Sequence, residues 1–404
     1  MSPTLAEELA RSQPLRRVLA WGVQLAQALS GLHRHGVLIG RPDLAQIAIY
    51  GDQARWHDLS TARLLPETAS EEFQSGTRHD IRGLVSCLWR LLGGRGPERP
   101  LAGLPAEVNA FFRQALTTKA LPSSADVLTA ILLELLARTG RPLPAVASIG
   151  QRSDIGRKRP LNEDSSLAMA TLLLAEEAGL AITLLAVADG MGGHQAGEVS
   201  SRLAVLSLAR QAEGELFGPA AAGRPLPEPR AWIESAVGAA NGLVWEQRQA
   251  AGSDMGTTLV VALLIGDRAV IGNVGDSRAY YLTPQGVAQL TVDHSLVQRL
   301  MEAGQISPEQ ARTHPGRNVI YRSIGERPTV EIDLYEQELH PGEALLLCSD
   351  GLSGMLTDPQ IWEIWRSASS PQEACDRLIE ASNIAGGEDN ITAVLAQLGP
   401  TGLL

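Results

Sequence analysis

Four aspartates stand where apolar runs end or where tight turns begin, and together they could hold a metal ion. Three of them close an apolar run and the fourth lies in a Gly-Gly-Glu-Asp-Asn turn; they are Asp189, Asp276, Asp350 and Asp389. All four positions are typical of strand ends or adjacent turns, so we expect the carboxylates to be presented together. Because carboxylates repel one another, several can share a pocket when a divalent cation neutralises them. Their hard oxygen atoms favour Mg²⁺ or Mn²⁺.

The elements that would position these carboxylates follow a Gly- and Pro-containing stretch at residues 139–146. Beyond it, β-rich runs alternate with two helical segments, 197–212 and 229–251, and a Pro-rich loop or insertion is expected at 217–230. Before it the pattern is mainly helical, with predicted helices over 15–32, 80–92, 106–116 and 124–137. The sequence therefore predicts a first domain over 1–138, a linker over 139–146 and a second domain over 147–398.

Composition narrows the class of protein. The chain has 404 residues and is 44% apolar, enough for two buried cores. Its net charge of −11, without a basic stripe, argues against a nucleic-acid partner. The cysteines are widely spaced, which fits a reducing, cytoplasmic location; they are Cys87, Cys348 and Cys375. Neither a signal-peptide pattern nor a long uncharged apolar run is found, so no membrane insertion is expected.

Seven short motifs occur in a fixed order in the second domain. They are SDIGRKRPLNED at 153–164, DGMGGH at 189–194, MGTT at 255–258, GNVGDSR at 272–278, HPGRN at 314–318, SDG at 349–351 and EDNIT at 388–392. Asp-Gly alone is an ordinary turn dipeptide. In this content and order, however, the motifs resemble the metal-dependent PPM, or type-2C, serine/threonine protein phosphatases, especially their bacterial members. The resemblance implies an α+β fold in which a four-layer α-β-β-α sandwich carries a binuclear metal centre at one end.

The resemblance also assigns roles to the acidic residues. Asp189 would bridge two Mn²⁺ or Mg²⁺ ions, and Asp350 and Asp389 would hold the first. Glu163 and the carbonyl group of Gly190 would serve the second ion, partly through water. Two cations at such a site can supply hydroxide near neutral pH and stabilise charge on the attacked phosphoryl group.

Three further residues match positions near the metals in the family. Arg159 matches the phosphate-binding arginine, and Asp164 would orient a water from beside the metals. Asp276, with Asp350, matches a third and weaker metal position of bacterial relatives. Pairing of Asp276 with Arg278, or capping of a turn, is the alternative.

The remaining polar residues of the second domain are harder to assign. Residues 293–321 correspond to the family's mobile flap, in which His294 and His314 could simply be polar loop residues. The general acid is unassigned, because Met191 follows the Asp-Gly pair where animal relatives have a histidine. His194 is a candidate for that role, against a structural or flap-contact role, and a metal-bound water could protonate the serine or threonine oxygen instead. Turn positions with positive φ are expected for Gly192, Gly193 and Gly197. No chemistry is assigned to Thr257 and Thr258.

A second and more degenerate set of motifs covers roughly residues 14–136. It comprises ALSGLHRHGVL at 28–38, WHDLSTAR at 56–63, DIRGLV at 80–85 and PSSAD at 122–126. In this order the motifs resemble the C-terminal lobe of a protein kinase, without a preceding glycine-rich loop or lysine-bearing strand. In the proposed register Arg41 replaces the catalytic base and Gln46 the metal-binding asparagine. Asp58 stands at the position of the metal-binding aspartate, but a turn cap or salt bridge is the preferred interpretation.

Phosphoryl transfer needs base, metals and lysine together, so we predict that this first domain is catalytically inactive. It would regulate the phosphatase, dock substrates or contact an active serine/threonine kinase. The leading hypothesis is a phosphatase that hydrolyses phosphoserine and phosphothreonine in proteins with two, or three, metal ions. Two alternatives remain: a pseudo-phosphatase scaffold, against which the costly carboxylate cluster argues, and a bifunctional protein whose kinase-like part still transfers phosphate.

Overall fold

Two units make up the described part of the chain. The computed structural model describes residues 13–40, 42–50, 53–65, 70–96, 99–117, 121–138, 146–174, 179–192 and 196–399. Within them, the first unit comprises residues up to 138 together with those of 172–180, and the second comprises the rest. Among the described helices, none has the length and apolar character that crossing a bilayer requires.

The first unit is mainly helical. Its helices are α1 (Leu15–Arg34), α2 (Glu71–Leu91), α3 (Ala106–Thr117) and α4 (Ala125–Ala137). Strands β1 (Val37–Leu38) and β4 (Arg63–Leu64) form one small antiparallel sheet, and β2 (Ile47–Tyr50) and β3 (Gln53–Trp56) form another.

Serine caps fix two of these helices. The hydroxyl of Ser124 accepts the N–H of Val127, so α4 begins where the sequence predicts it. The helix predicted over 80–92 is longer than expected. It begins at Glu71, because Ser70 accepts the N–H of Phe73 and acidic residues occupy the first turn, where the helix dipole favours them.

Two antiparallel sheets form the second unit. In one, the strand order is β13-β10-β9-β7-β6, with β8 paired to β7; in the other it is β12-β11-β14-β15-β5. Their bounds are β5 (Ala147–Asp154), β6 (Asp164–Leu174), β7 (Gly179–Met191), β8 (Gly256–Thr257), β9 (Leu259–Ile265), β10 (Arg268–Val274), β11 (Arg278–Thr283), β12 (Gly286–Gln289), β13 (Asp333–Glu338), β14 (Ala344–Cys348) and β15 (Ile391–Leu398).

Strand alternation places β14 between two cores. Leu345 and Leu347 face a buried cluster that also contains Leu185 and Val187 of β7, so this cluster lies between the two sheets. Ala344, Leu346 and Cys348, on the opposite face of β14, belong to a second cluster that is shared with three helices. Those helices are α10 (Asp350–Ser353), α11 (Asp358–Ser367) and α12 (Pro371–Ile384).

Helices cover the other sheet as well. They are α5 (Ala196–Ala212), a π-helical turn (Glu213–Phe217), α6 (Gly218–Ala221) and α7 (Pro229–Ala251). A Cβ on Gly272 of β10 would lie 2.6 Å from Ile233 of α7, so this helix packs directly on the sheet. The prediction of a loop over 217–230 is wrong for its first part, because the helix continues through Ala221. The flap segment contains α8 (Leu296–Glu302) and α9 (Pro308–Thr313).

Candidate metal centre

The four aspartates lie at ends of strands from both sheets. Asp189 is near the end of β7, and Asp276 lies in the turn from β10 to β11. Asp350 opens α10 directly after β14, while Asp389 precedes β15. Burial raises the pKa of the Asp189 carboxyl group, and repulsion by the other three aspartates and Asp164 raises it further. The structure therefore brings these carboxylates into one electrostatic cluster.

Asp164 lies beneath this cluster and is buried. Its Oδ2 accepts hydrogen bonds from the hydroxyl groups of Ser349, at 2.8 Å, and Thr392, at 2.7 Å. Its Oδ1 is buried without a hydrogen-bond partner. Burial raises the pKa of Asp164 to about 7, although the two hydroxyl groups oppose this shift, and repulsion by Asp350 and Asp389 adds to it.

Two threonines hold the backbone of Asp189. The N–H of Asp189 donates to Oγ1 of Thr258, at 2.9 Å, and its carbonyl accepts the Oγ1 hydroxyl of Thr257, also at 2.9 Å. Both threonines are buried. No chemistry is predicted for them from the sequence, although their place in the motif MGTT is the available signal. Their role here is to position Asp189.

Asn390 fixes the loop that carries Arg159 and Glu163. Its Nδ2 donates to the carbonyl groups of Ile155 and Leu161, both at 2.9 Å, and its Oδ1 accepts the N–H of Glu163 at 2.8 Å. Sequence reasoning did not single out this residue, although it follows Asp389 directly within one motif. It joins two of the candidate metal-binding segments.

Glu163, Gly190 and Gly197 are in tight contact. The N–H of Gly190 donates to the carbonyl of Glu163 at 3.1 Å, and a Cβ on Gly190 would lie 2.1 Å from the carbonyl oxygen of Gly197. A Cβ on Gly197 would lie 2.4 Å from Oε1 of Glu163. Gly192 has the expected positive φ, at 144°. The same expectation is wrong for Gly197, which is helical; glycine is needed there because the Glu163 carboxylate packs against it.

Arg159 contacts Asp389. Its Nη2 donates to Oδ2 of Asp389 at 2.6 Å, and the Arg159 side chain is 44% exposed. This hydrogen bond uses one of the five N–H donors of the guanidinium group. Arg159 thus lies at the mouth of the cluster with donor capacity toward solvent.

Asp276 is buried beside the cluster. The alternative of an ion pair with Arg278 does not describe the structure, because Arg278 forms its fork with Asp293, at 2.7 to 3.1 Å. Burial raises the pKa of Asp276, and repulsion by Asp350 and then Asp293 adds to this shift. The carboxylate of Asp276 remains available for a cation.

The donor set fits hard divalent cations. Oδ1 of Asp164 and Oδ1 of Asp350 are both buried without a hydrogen-bond partner, an unfavourable state that a cation relieves. Burial raises the pKa of Asp350, and repulsion by Asp389 adds to this shift. Among the described residues, no three acidic, histidine or cysteine side chains are already arranged around one point as a metal site.

Two residues of the second domain that were named from the sequence lie outside the described residues. They are His194, the candidate general acid, and Gly193 beside it. His294 is not a simple polar loop residue, because it is 2% exposed and hydrogen-bonded on both ring nitrogens.

Comparisons with known proteins show which proteins this chain resembles. A family model described as protein phosphatase 2C matches residues 170–383. The serine/threonine phosphatase stp of Listeria monocytogenes is 37% identical over 248 residues, which are 61% of this chain and 94% of that protein. The crystal structure of the Mycobacterium tuberculosis serine/threonine phosphatase PstP/Ppp has a TM-score of 0.55 and 38% identity, over 63% of this chain and 99% of that one. A structure of the PstP catalytic domain with two manganese ions has a TM-score of 0.54 and 36% identity, with the same coverage.

Proposed function

This chain belongs to the protein phosphatase 2C family, and from that premise we propose that it hydrolyses phosphoserine and phosphothreonine in proteins with the carboxylate cluster as its metal centre. It is a protein serine/threonine phosphatase that depends on Mn²⁺ or Mg²⁺. The observation that carries the proposal is the pair of buried, unpartnered oxygens on Asp164 and Asp350 within a cluster of mutually repelling carboxylates.

The residues divide into ligands and supports. Asp189 would be shared by two cations, Asp350 and Asp389 would hold one of them, and Glu163 with the Gly190 carbonyl would hold the other. Asp276 would contribute to a third, weaker position. When bound, the cations stabilise negative charge on the phosphoryl oxygens and make water a better nucleophile.

The chain's own groups orient the reactants. The fork of Arg159 can bind two phosphate oxygens and align the ester for in-line attack. Because Ser349 and Thr392 occupy Oδ2 of Asp164, its Oδ1 is the atom free to accept a hydrogen bond from a water.

The test is hydrolysis of a phosphothreonine peptide by the full chain with Mn²⁺, with Mg²⁺ and with EDTA, beside the Asp189→Ala variant. We expect turnover that needs the metal and is lost in the variant. Turnover in EDTA equal to that in Mn²⁺ would refute the metal centre. Absence of turnover in every condition would favour the alternative of a phosphoprotein-binding scaffold.

We further propose that the first unit is an inactive kinase-like module with a regulatory or docking role. Asp80 of α2 is fully buried and accepts the N–H groups of Ile39, at 2.8 Å, and Gly40, at 2.7 Å. His33 contacts the same carboxylate at 3.0 Å. This network fixes the loop at which the kinase resemblance places the catalytic segment.

The remaining kinase-like positions support inactivity. Asp58 is exposed and its Oδ1 accepts the N–H of Ser60 at 2.8 Å, which is a turn cap. Gln46 donates to the carbonyl of Asp58 and to the hydroxyl of Thr61, so its amide is engaged in structure. Arg41 lies outside the described residues.

The three cysteines are unpaired and buried, which supports a reducing, cytoplasmic location.

Labelled ATP tests this module. The Asp189→Ala variant, in which any phosphate added would not be removed, should incorporate no label in Mg²⁺ or Mn²⁺. Incorporation that disappears in an Asp189→Ala, Asp58→Ala double variant would instead establish a bifunctional protein.

A further inference from the structure

His294 stands between the flap and the turn that carries Asp276. Its ring Nδ1 accepts the backbone N–H of Gly275 at 3.0 Å, and its own backbone N–H donates to the carbonyl of Gly275, also at 3.0 Å. Gly275 directly precedes Asp276 in the chain. One histidine therefore holds both backbone groups of the residue before a candidate metal ligand.

The opposite side of the ring is held by an acidic residue. Nε2 of His294 lies 3.1 Å from Oδ2 of Asp333, whose Oδ1 accepts Nη1 of Arg322 at 2.6 Å. The same Nη1 of Arg322 also lies 3.1 Å from Nε2 of His294. Because Nδ1 accepts a hydrogen bond, the ring proton is on Nε2 and donates to Asp333. Protonation of Nδ1 would place two donors face to face at Gly275. Burial, which lowers the pKa of His294, agrees with a neutral ring.

The backbone of His294 also closes the flap. Its carbonyl accepts the N–H of Tyr321 at 2.9 Å, and Ser295 pairs with Ile320 in the next position of the same short ladder. The guanidinium of Arg299 in α8 lies 3.5 Å from the centre of the Tyr321 ring. The two ends of the flap segment, 293–321, therefore meet at His294.

The turn before Asp276 depends on this external support. Gly275 has φ of 110°, and a Cβ there would lie 2.7 Å from Thr258. Glycine is thus required at this position, and it has no side chain with which to fix the turn. The imidazole of His294 supplies the acceptor that the buried Gly275 N–H needs.

We propose that His294 is a positioning residue of the phosphatase site. Through its Nδ1 it fixes the turn that carries Asp276 relative to the point where the two ends of the flap meet. This inference deepens the proposed function and rests on it, since Asp276 is given a metal there. A histidine that only filled space would need the ring volume but not the acceptor at Nδ1. The two roles are therefore separable by substitution.

Three substitutions of His294 separate them. Asparagine places its Oδ1 near the position of Nδ1 and so keeps the acceptor for Gly275. Glutamine places its amide near Nε2 and so keeps the contact with Asp333 but loses the acceptor. Alanine removes both. The control is His314→Ala, since His314 lies in the flap and also accepts a backbone N–H, from Gly316, but does not contact Gly275.

The readouts are Mn²⁺ binding by calorimetry, hydrogen exchange at Gly275, and kcat and KM for a phosphothreonine peptide. We expect His294→Ala to lower the Mn²⁺ affinity of the weakest binding step about tenfold and to lower kcat about tenfold. Effects of this size are typical of residues that orient metal ligands. Exchange at Gly275 should accelerate in parallel. His294→Asn should restore all three properties more fully than His294→Gln.

Several results would overturn the proposal. One is equal behaviour of the asparagine and alanine variants; another is His314→Ala matching His294→Ala; a third is unchanged Mn²⁺ affinity and Gly275 exchange in His294→Ala. These binding and exchange measurements do not require turnover. Failure of the wild-type chain to hydrolyse any phosphopeptide would therefore refute the proposed function separately from the role of His294.

Discussion

At the scale of single residues, Asp164 makes stability depend on pH. Its pKa in the folded state is raised to about 7, above the ordinary 3.8, chiefly by burial. The folded state therefore binds more protons than the unfolded state between these values, and the stability from this group is lost as the pH rises. In EDTA, Asp164→Asn should raise the Tm by at least about 3 °C at pH 8, and the difference should shrink toward pH 4.

Thermal unfolding across pH 4 to 8, with EDTA present throughout, measures this effect. The matched control is Asp267→Asn, which changes the same group in the turn between β9 and β10, away from the cluster. A difference that is constant with pH would show that Asp164 does not titrate on unfolding. Adding Mn²⁺ should stabilise the wild-type chain more at pH 8 than at pH 5.

Arg159 gives a second residue-scale prediction. Because its guanidinium reaches the mouth of the cluster, Arg159→Ala should raise KM for a phosphothreonine peptide about tenfold, with a smaller fall in kcat. Arg159→Lys should recover only part of the lost substrate affinity, since an ammonium group cannot form the planar, bidentate hydrogen bonds that a guanidinium group makes to two phosphate oxygens. Steady-state kinetics at saturating Mn²⁺ decide the matter. Unchanged KM in Arg159→Ala would remove this residue from phosphate binding.

At the scale of elements, the Gly197 contact constrains the start of α5. A Cβ at Gly197 would meet Oε1 of Glu163 at 2.4 Å, whereas a Cβ at Gly238 of α7 would meet nothing within 4 Å. Both glycines are helical. Gly197→Ala should therefore cost about 1 to 3 kcal/mol of unfolding free energy and lower activity by displacing Glu163. Gly238→Ala should stabilise by about 0.5 to 1 kcal/mol.

Denaturant unfolding and Mn²⁺-dependent turnover of both variants test this comparison. Equal changes in the two variants would mean that helix propensity alone matters at Gly197. A stable Gly197→Ala protein with full activity would remove Glu163 from the metal centre.

The same element explains what the sequence can predict and what it cannot. Local signals suffice for α4, where Ser124 caps an apolar helix, and for β14, whose apolar run ends at Asp350. The need for glycine at Gly197 comes from a residue 34 positions earlier in the sequence, so no local pattern shows it. Support by Thr258 and Asn390 is likewise non-local. The order of the motifs predicted which acidic residues would lie close together. It did not predict which neutral residues would hydrogen-bond to their backbone and fix their positions.

At the scale of the whole molecule, charge is unevenly distributed. Residues 1–144 contain 16 Lys and Arg and 13 Asp and Glu, whereas residues 145–404 contain 18 and 32. The excess of acid therefore belongs to the part with the metal centre, where basic residues such as Arg159 stand at the mouth. The rim and the cluster are in direct contact, because Nη2 of Arg159 donates to Oδ2 of Asp389, so the basic rim offsets part of the negative charge beside it.

Removal of residues 1–144 tests whether the catalytic unit is self-sufficient. All candidate metal ligands, their supporting residues and the core between the two sheets lie beyond residue 144. The shortened chain should hydrolyse a small aryl phosphate, which needs no docking surface, within about twofold of the full chain in Mn²⁺. A phosphoprotein substrate assayed in parallel then reports on the first unit: slower turnover of that substrate alone identifies docking, and faster turnover of both substrates identifies inhibition. An insoluble product would show that the two units depend on each other for folding, and would end the interpretation of the first as an independent module.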